Sequence, residues 1–215
     1  MLCCEYTFID TAVPFGEMSR YLRTISETRR KRITSFRADR DKLLSLYAEL
    51  LIRYSLSEKT GLPAESLSFG YGRYGKPFVR EASDISFSVS HSGSCVMLAV
   101  SDRQIGADTE QIADTDIGVA KRCFGADEYD LLVQNGFCSD TFFRLWTAKE
   151  AYVKMLGTGL YTSLDSFDTA AGIDGCAFEQ RVVNGYAMSI CMKDPACKCG
   201  FTEIPCGDIL RHFCR

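Results

Sequence analysis

Histidine and tryptophan are scarce in this chain of 215 residues, which has two histidines, His91 and His212, and a single tryptophan, Trp146. An excess of positive charge is also missing: the formal net charge is −3. That excludes a general nucleic-acid binder, which needs a broad positive potential to hold a phosphate backbone. No apolar run approaches the ~18 residues required to cross a bilayer, so no membrane partner is expected. The opening MLCCEYTFIDTAVPFG lacks the basic segment and long apolar stretch of a secretory leader. The eleven cysteines therefore read as reduced thiols of a cytoplasmic protein rather than as a disulfide framework. Cys197 and Cys199, with Cys191 and Cys206 nearby, depart from C-x-x-C spacing and have no histidine close by, so a structural zinc is disfavoured.

What remains is ordinary for a soluble globular protein: 46% apolar and 25% charged residues, enough to build a sizeable core. The length suits one large domain or two halves of roughly 100 residues each. No low-complexity segment or long linker interrupts it. An early segment is crowded with Arg29, Arg30, Lys31, Arg32, Arg37, Arg40 and Lys42. After it, Leu43, Leu46, Tyr47, Leu50 and Tyr54 recur at helical spacing up to a terminating Gly61, which predicts a long helix. Short strands follow in SFSVS, CVMLAV and IGADTEQI, each bounded by Gly, Ser or Asp turns. A helical region is expected over Ile117–Gln134 and another from about Asp140 to Leu156, with Gly157 as its C-terminal cap. AFEQRVVNGYAMSICMKD reads as a hairpin turning at Asn184-Gly185. Both halves thus run helix, then strands. The class is α+β, with a seam near Asp102–Ile105 and expected units of 1–104 and 105–215.

Three stretches could carry chemistry. On a strand, IGADTEQI would point Asp108 and Glu110 to one side and Ile105, Ala107 and Thr109 to the other. Two adjacent carboxylates repel unless a cation lies between them, and oxygen ligands of this kind suit Mg²⁺ together with phosphate and water. A solvated polar face is the plainer reading of Asp-x-Glu alone. SVSHSGS ends a strand in small residues whose backbone N–H groups can face an anion, and it carries Ser90 and His91. Just before it, Lys76 precedes a proline in a glycine-rich turn. In FRLWTAKEAYVKMLGTGL, Phe143, Trp146, Val153 and Leu156 have the spacing of a buried helix face. Trp146, Glu150 and Lys154, at i, i+4 and i+8, share one stripe. Glu150 and Lys154 are oriented as a helical ion pair worth only ~0.2–0.5 kcal/mol. Taken together, an anion-binding turn, three carboxylates and several lysines suit holding a Mg²⁺-diphosphate while a P–O bond breaks.

GKP, FSVSHSG, IGADTEQ and LWTAKEAYVKMLGTGL stand here in the order and near the spacing seen in 4′-phosphopantetheinyl transferases. The chain resembles the monomeric, surfactin-synthetase-activating type, recognisably from Arg29 to Leu160. The pairing of Gly-x-Asp-x-Glu with a later Trp-x-x-Lys-Glu-x-x-x-Lys is the most specific part. The resemblance implies a pseudo-dimer of two similar α+β halves with coenzyme A and Mg²⁺ in the cleft between them. The first half would make the nucleotide contacts and the second would hold the metal and the catalytic helix. It implies transfer of the phosphopantetheine arm to a serine of an apo acyl or peptidyl carrier protein, releasing 3′,5′-adenosine bisphosphate. By matching position, Asp108, Glu110 and Glu150 are the implied Mg²⁺ ligands and Glu150 the implied general base. Lys154 would assist the leaving phosphate. Ser90 and His91 would touch phosphate, Lys76 the 3′-phosphate and Lys149 a further phosphate. Arg32 is the expected coenzyme A contact from the basic segment, where Arg29, Arg30 and Lys31 compete with it and Arg40 and Lys42 are within reach. Two other classes stay open on the residues alone: a coenzyme A- or carrier-binding module without turnover, and a Mg²⁺-dependent diphosphate hydrolase on a different fold.

Overall fold

The structure, a computed structural model, describes residues 2–194, 196 and 198–214, with Leu160 described by its backbone only. Strand β1 (Leu2–Phe8) leads through a short helix α1 (Phe15–Met18) to α2 (Glu27–Thr34) and the long α3 (Asp39–Thr60). A small two-stranded ribbon, β2 (Phe69–Tyr71) and β3 (Pro77–Val79), precedes β4 (Ser86–Ser92), β5 (Cys95–Ser101) and β6 (Ile105–Gln111). Next come α4 (Ile117–Cys123), α5 (Ala126–Gln134), α6 (Ser139–Leu156), β7 (Ala177–Val183), β8 (Tyr186–Met192), β9 (Phe201–Glu203) and α7 (Cys206–His212).

Side-chain alternation explains how these elements stack. Every residue of β5 is buried. Val96, Leu98 and Val100 enter one core with Leu43, Leu46 and Leu50 of α3. The intervening Cys95, Met97 and Ala99 enter a second core with Met188 and Ile190 of β8. A strand alternates its faces with period 2, so β5 is a wall shared by two cores. β8 does the same. Its Tyr186, Met188, Ile190 and Met192 face the first sheet, while Cys191 packs with Ala151 and Met155 of α6. The result is four layers: α3, the sheet β4-β5-β1-β9, the sheet β6-β8-β7, and α6.

The local signals hold. α3 ends at Gly61 and α6 at Gly157, both at φ 72, the left-handed cap that favours glycine. The β7–β8 turn puts Asn184 at φ 51 and Gly185 at φ 77, as a two-residue hairpin with both central φ positive requires. The region 117–134 is two helices rather than one, broken at Phe124–Gly125. A mixed α+β architecture of two halves, each a long helix laid on a sheet, is present.

The division at 104/105 does not follow the packing near the C-terminus. β9 pairs in parallel with β1, Cys4 opposite Phe201, and Ile209 and Phe213 enter the core built on α3. The tail crosses back because the β1 edge of the first sheet is otherwise open, and an uncovered edge presents unpaired backbone groups.

Candidate active site

The site lies where β4, β6 and α6 meet. Gly106 permits the approach: a Cβ there would fall 1.9 Å from the Ala151 carbonyl oxygen and 2.3 Å from the Met155 nitrogen. Only a residue without a side chain lets the helix settle so close to the strand. Asp108, on the same face of β6, thereby comes beside Lys154 of α6, and their Oδ1–Nζ separation is 2.6 Å. Ile105, Ala107 and Thr109 point the other way, the first two into the inter-sheet core and Thr109 toward the Cys95 sulfur.

The edges of β4 and β6 are joined by serine side chains. Ser88 Oγ accepts from the Ala107 N–H at 3.0 Å. Ser90 Oγ donates to Asp108 Oδ1 at 2.8 Å and accepts from Lys154 Nζ at 2.9 Å. Ser92 Oγ donates to Glu110 Oε2 at 2.6 Å and accepts from the Gln111 N–H at 3.1 Å. Ser88 and Ser92 were missed by sequence reasoning, although serine at every second position of SFSVSHS is the signal of a polar strand face. Also missed was the grip on the following turn. Arg40 donates to the Gly93 carbonyl at 3.0 Å, and Tyr186 Oη accepts from the Ser94 N–H at 2.8 Å.

Lys154 forms its ion pair with Asp108 and not with Glu150, so the helical pair suggested by spacing is not made. Asp108 is 3% exposed, and its second oxygen, Oδ2, is buried without a hydrogen-bond partner. Burial raises the Glu150 pKa, and the negative charge of Asp108 raises it further. Burial likewise raises that of Glu110, against the hydrogen bond from Ser92, with Asp108 and Glu150 adding repulsion. The three carboxylates therefore share one field. Among the described residues no three His, Cys, Asp or Glu side chains stand close enough together to enclose a metal. The donor chemistry nevertheless fits Mg²⁺: oxygen ligands only, one of them a buried orphan. Cys197 lies outside the described residues, and Cys191 and Cys206 sit apart, one against Met155 and the other against Thr7.

The remaining expected residues divide. His91 projects from the face of β4 opposite Ser90 and Ser92, the face it shares with Phe87 and Val89. It is exposed, and desolvation by the atoms around it lowers its pKa, with Lys154 lowering it further. Arg32 lies on the wall of a cleft of about 960 Å³, with Arg23, Arg29 and Arg80. Of its competitors, Arg29 is tied to Glu49 and Lys31 to Glu27. A smaller cavity of about 230 Å³ contains Lys76 and Lys154, and it shares Gly75, Pro77, Phe87 and Val89 with the large cleft. One groove thus runs from the arginines to Lys154. Lys76 is held within it, donating to the carbonyls of Ile105 at 2.8 Å and Met155 at 3.0 Å. Burial lowers its pKa to about 8.

Lys149 is not in the groove, and its expected phosphate contact is corrected by its burial. It is 0% exposed and paired at 2.5 Å with Glu128, also 0% exposed. Its ammonium donates to the Phe167 carbonyl at 2.6 Å and lies 4.3 Å from the centre of that ring. At one step before Glu150 on a helix, its side chain must leave on another face.

The sequence that builds this groove has counterparts among known proteins. Residues 15–103 match the family model described as 4′-phosphopantetheinyl transferase, N-terminal. Residues 104–191 match the 4′-phosphopantetheinyl transferase superfamily. The chain is 34% identical over 204 residues to the 4′-phosphopantetheinyl transferase psf-1 of Bacillus pumilus, covering 88% of each chain. It is 30% identical over 203 residues to Sfp of Bacillus subtilis strain 168, covering 87% of this chain and 91% of that one. It is 42% identical over 131 residues to gsp of Aneurinibacillus migulanus, covering 60% and 54%. By these matches across both halves, the chain belongs to the 4′-phosphopantetheinyl transferase superfamily and has the activity of that name.

Proposed function

We propose that the protein transfers the phosphopantetheine arm of coenzyme A to a serine hydroxyl of an apo acyl or peptidyl carrier protein and releases 3′,5′-adenosine bisphosphate. The observation that carries this reading is the groove from Arg32 to Lys154, whose ammonium pairs with Asp108 in the electrostatic field of Glu150. Arg32 and the neighbouring arginines suit the nucleotide end, and Ser90, His91 and Lys154 suit the diphosphate. Lys76 borders the same groove, and its contact with the 3′-phosphate requires it to leave two carbonyls. Asp108, Glu110 and Glu150 would hold Mg²⁺, which when bound neutralises diphosphate charge and polarises the phosphoryl oxygens.

A serine hydroxyl is a weak nucleophile at neutral pH and needs a base within reach. Glu150 takes the hydroxyl proton, and its raised pKa brings it nearer the working pH of a base. The serine oxygen bonds to the β-phosphorus, the bond from that phosphorus to the bridging oxygen breaks, and the bisphosphate leaves with the electron pair. Lys154 compensates the charge that develops on it. Both halves of the groove come from one chain, which supports action as a monomer. Substrates of this class support a cytoplasmic setting. Among the described residues no helix is long and apolar enough to cross a membrane.

Intact-mass spectrometry of several apo-carriers, incubated with the protein, coenzyme A and Mg²⁺, tests the reading. The expected result is one phosphopantetheine adduct on the carrier serine. Coenzyme A cleaved with the carriers unmodified would indicate a hydrolase. Coenzyme A bound but intact, with no adduct on any carrier, would indicate a binding module.

A further inference from the structure

We propose that Lys154 is a latch: in the protein without coenzyme A its ammonium occupies the carboxylate that the metal needs, so that the metal site is completed only when the diphosphate draws Lys154 away. This rests on the reading above. Asp108 is almost wholly buried, and a buried carboxylate is stable only beside a cation and hydrogen-bond donors. Oδ1 has both, Ser90 Oγ at 2.8 Å and Lys154 Nζ at 2.6 Å. Oδ2 has neither. The cation the structure supplies to Asp108 is therefore a side chain, and half of the carboxylate is left unsatisfied.

The latch can open. The Lys154 side chain is 31% exposed and borders the groove, where a flexible four-carbon stem can swing its ammonium toward an incoming ligand. A diphosphate offers several anionic oxygens in place of one carboxylate oxygen. Once Lys154 turns to it, Asp108 keeps only the Ser90 hydrogen bond on Oδ1 and has no cation beside it, next to Glu110 and Glu150, whose charges already repel one another. That state calls for a divalent ion. With Lys154 in place, the ammonium already offsets the charge, and a metal must compete with it. This accounts for the finding that among the described residues no three carboxylates are gathered around a common centre, although Asp108, Glu110 and Glu150 lie in one electrostatic neighbourhood. Metal and coenzyme A then favour each other's binding, and linkage makes the effect reciprocal.

The test measures Mn²⁺ binding to the full chain by equilibrium dialysis, with and without coenzyme A, correcting for Mn²⁺ held by coenzyme A alone. Coenzyme A is expected to tighten Mn²⁺ binding to the wild type by about 10-fold or more, within the ~5–150-fold span of ordinary coupling. In Lys154→Ala and in Lys154→Met, which keeps most of the stem, binding without coenzyme A should tighten several-fold and the coupling should shrink. Arg144→Ala removes an exposed charge from the same helix α6, outside the groove and the carboxylate cluster, and should leave Mn²⁺ binding nearly unchanged. If neither Lys154 variant binds Mn²⁺ more tightly than wild type, while coenzyme A still promotes binding to wild type, the latch is wrong and the transferase reading stands. An Arg144→Ala effect as large as that of Lys154→Ala also overturns the latch, since general charge would then explain it. No Mn²⁺ on the wild type with coenzyme A present would remove the metal site and the latch together.

Discussion

Two buried lysine–carboxylate pairs sit five residues apart on α6, and they differ in completeness. Around Glu128 every oxygen is used. Oε1 accepts from the N–H and hydroxyl of Thr169, and Oε2 accepts from the Gly125 N–H and from Lys149. Lys149 in turn reaches the Phe167 carbonyl. Around Asp108, one oxygen is idle and the lysine is part-exposed. A closed network ties α6 to α5 and to the loop at Phe167–Thr169, and nothing in it invites a ligand. An open network at the next turn leaves an unmet electrostatic demand. The first fixes the helix and the second faces the groove. Burial of the two carboxylates does not separate them; exposure of the lysine and satisfaction of each polar atom do.

The sharpest way to break this contrast is at the open end. Glu150→Gln keeps side-chain size but loses proton affinity and charge. Removal of a general base costs ~10²–10⁴-fold in rate, so turnover should fall at least a hundredfold with Tm close to wild type. Lys154→Ala should behave alike in kind, slow and folded. Near-normal turnover by Glu150→Gln would return that residue to a surface role.

The closed end should show the opposite pattern. Glu128→Ala strands a fully buried ammonium, a loss of about 3–5 kcal/mol, or on the order of 10 °C in Tm for a chain of this size. Thermal melting of Glu128→Ala beside Lys154→Ala checks it. If Lys154→Ala melts as low as Glu128→Ala, the two pairs are equivalent and the distinction fails.

Much of this was legible in the sequence because it rests on local rules. The capping glycines, the Asn184-Gly185 turn and the alternation in β6 follow from backbone sterics and strand period, and each sits where expected. Resemblance pointed to Asp108, Glu150 and Lys154; the fold pairs Asp108 with Lys154 and sets Glu150 in the field of both. Partners distant in sequence were not legible. Nothing around Phe201–Glu203 announces that three residues will complete a sheet beginning at residue 2. Lys149 has no local mark of burial, since its fate is set by Glu128, twenty-one residues earlier, and by Phe167. The acceptors of Lys76 are backbone carbonyls of β6 and α6, which nothing in its own turn announces.

Lys76 provides a smaller, pH-dependent contrast. Its folded pKa, about 8, lies below its ordinary value of 10.5, so folding disfavours the charged form. The sign follows: its relative stabilisation is greatest above pH 10.5 and is lost as pH falls toward 8, staying flat below. Denaturant titrations of wild type and Lys76→Met across pH 7–10.5 should show wild type gaining on the variant as pH rises. A constant difference would mean the amine is not held in a desolvating site.

The smallest effect is the most specific. Ser92→Ala removes a hydroxyl that donates to Glu110 and accepts from Gln111. Ser88→Ala removes one that accepts from the Ala107 N–H and touches no carboxylate. Each should cost about 1 kcal/mol of stability, the ordinary worth of one hydrogen bond, and the two variants should melt within a few degrees of each other. They should differ in metal requirement. Ser92 holds Glu110 in place and favours its ionised form, so Ser92→Ala should raise the Mg²⁺ concentration for half-maximal transfer a few-fold, while Ser88→Ala should leave it unchanged. Ser92→Thr, which keeps the hydroxyl, should restore it. If both alanine variants shift the Mg²⁺ requirement equally, the serines merely join two strand edges. A shift confined to Ser92 and reversed by threonine would make that side chain a positioning group for Glu110, part of the open network rather than of the seam.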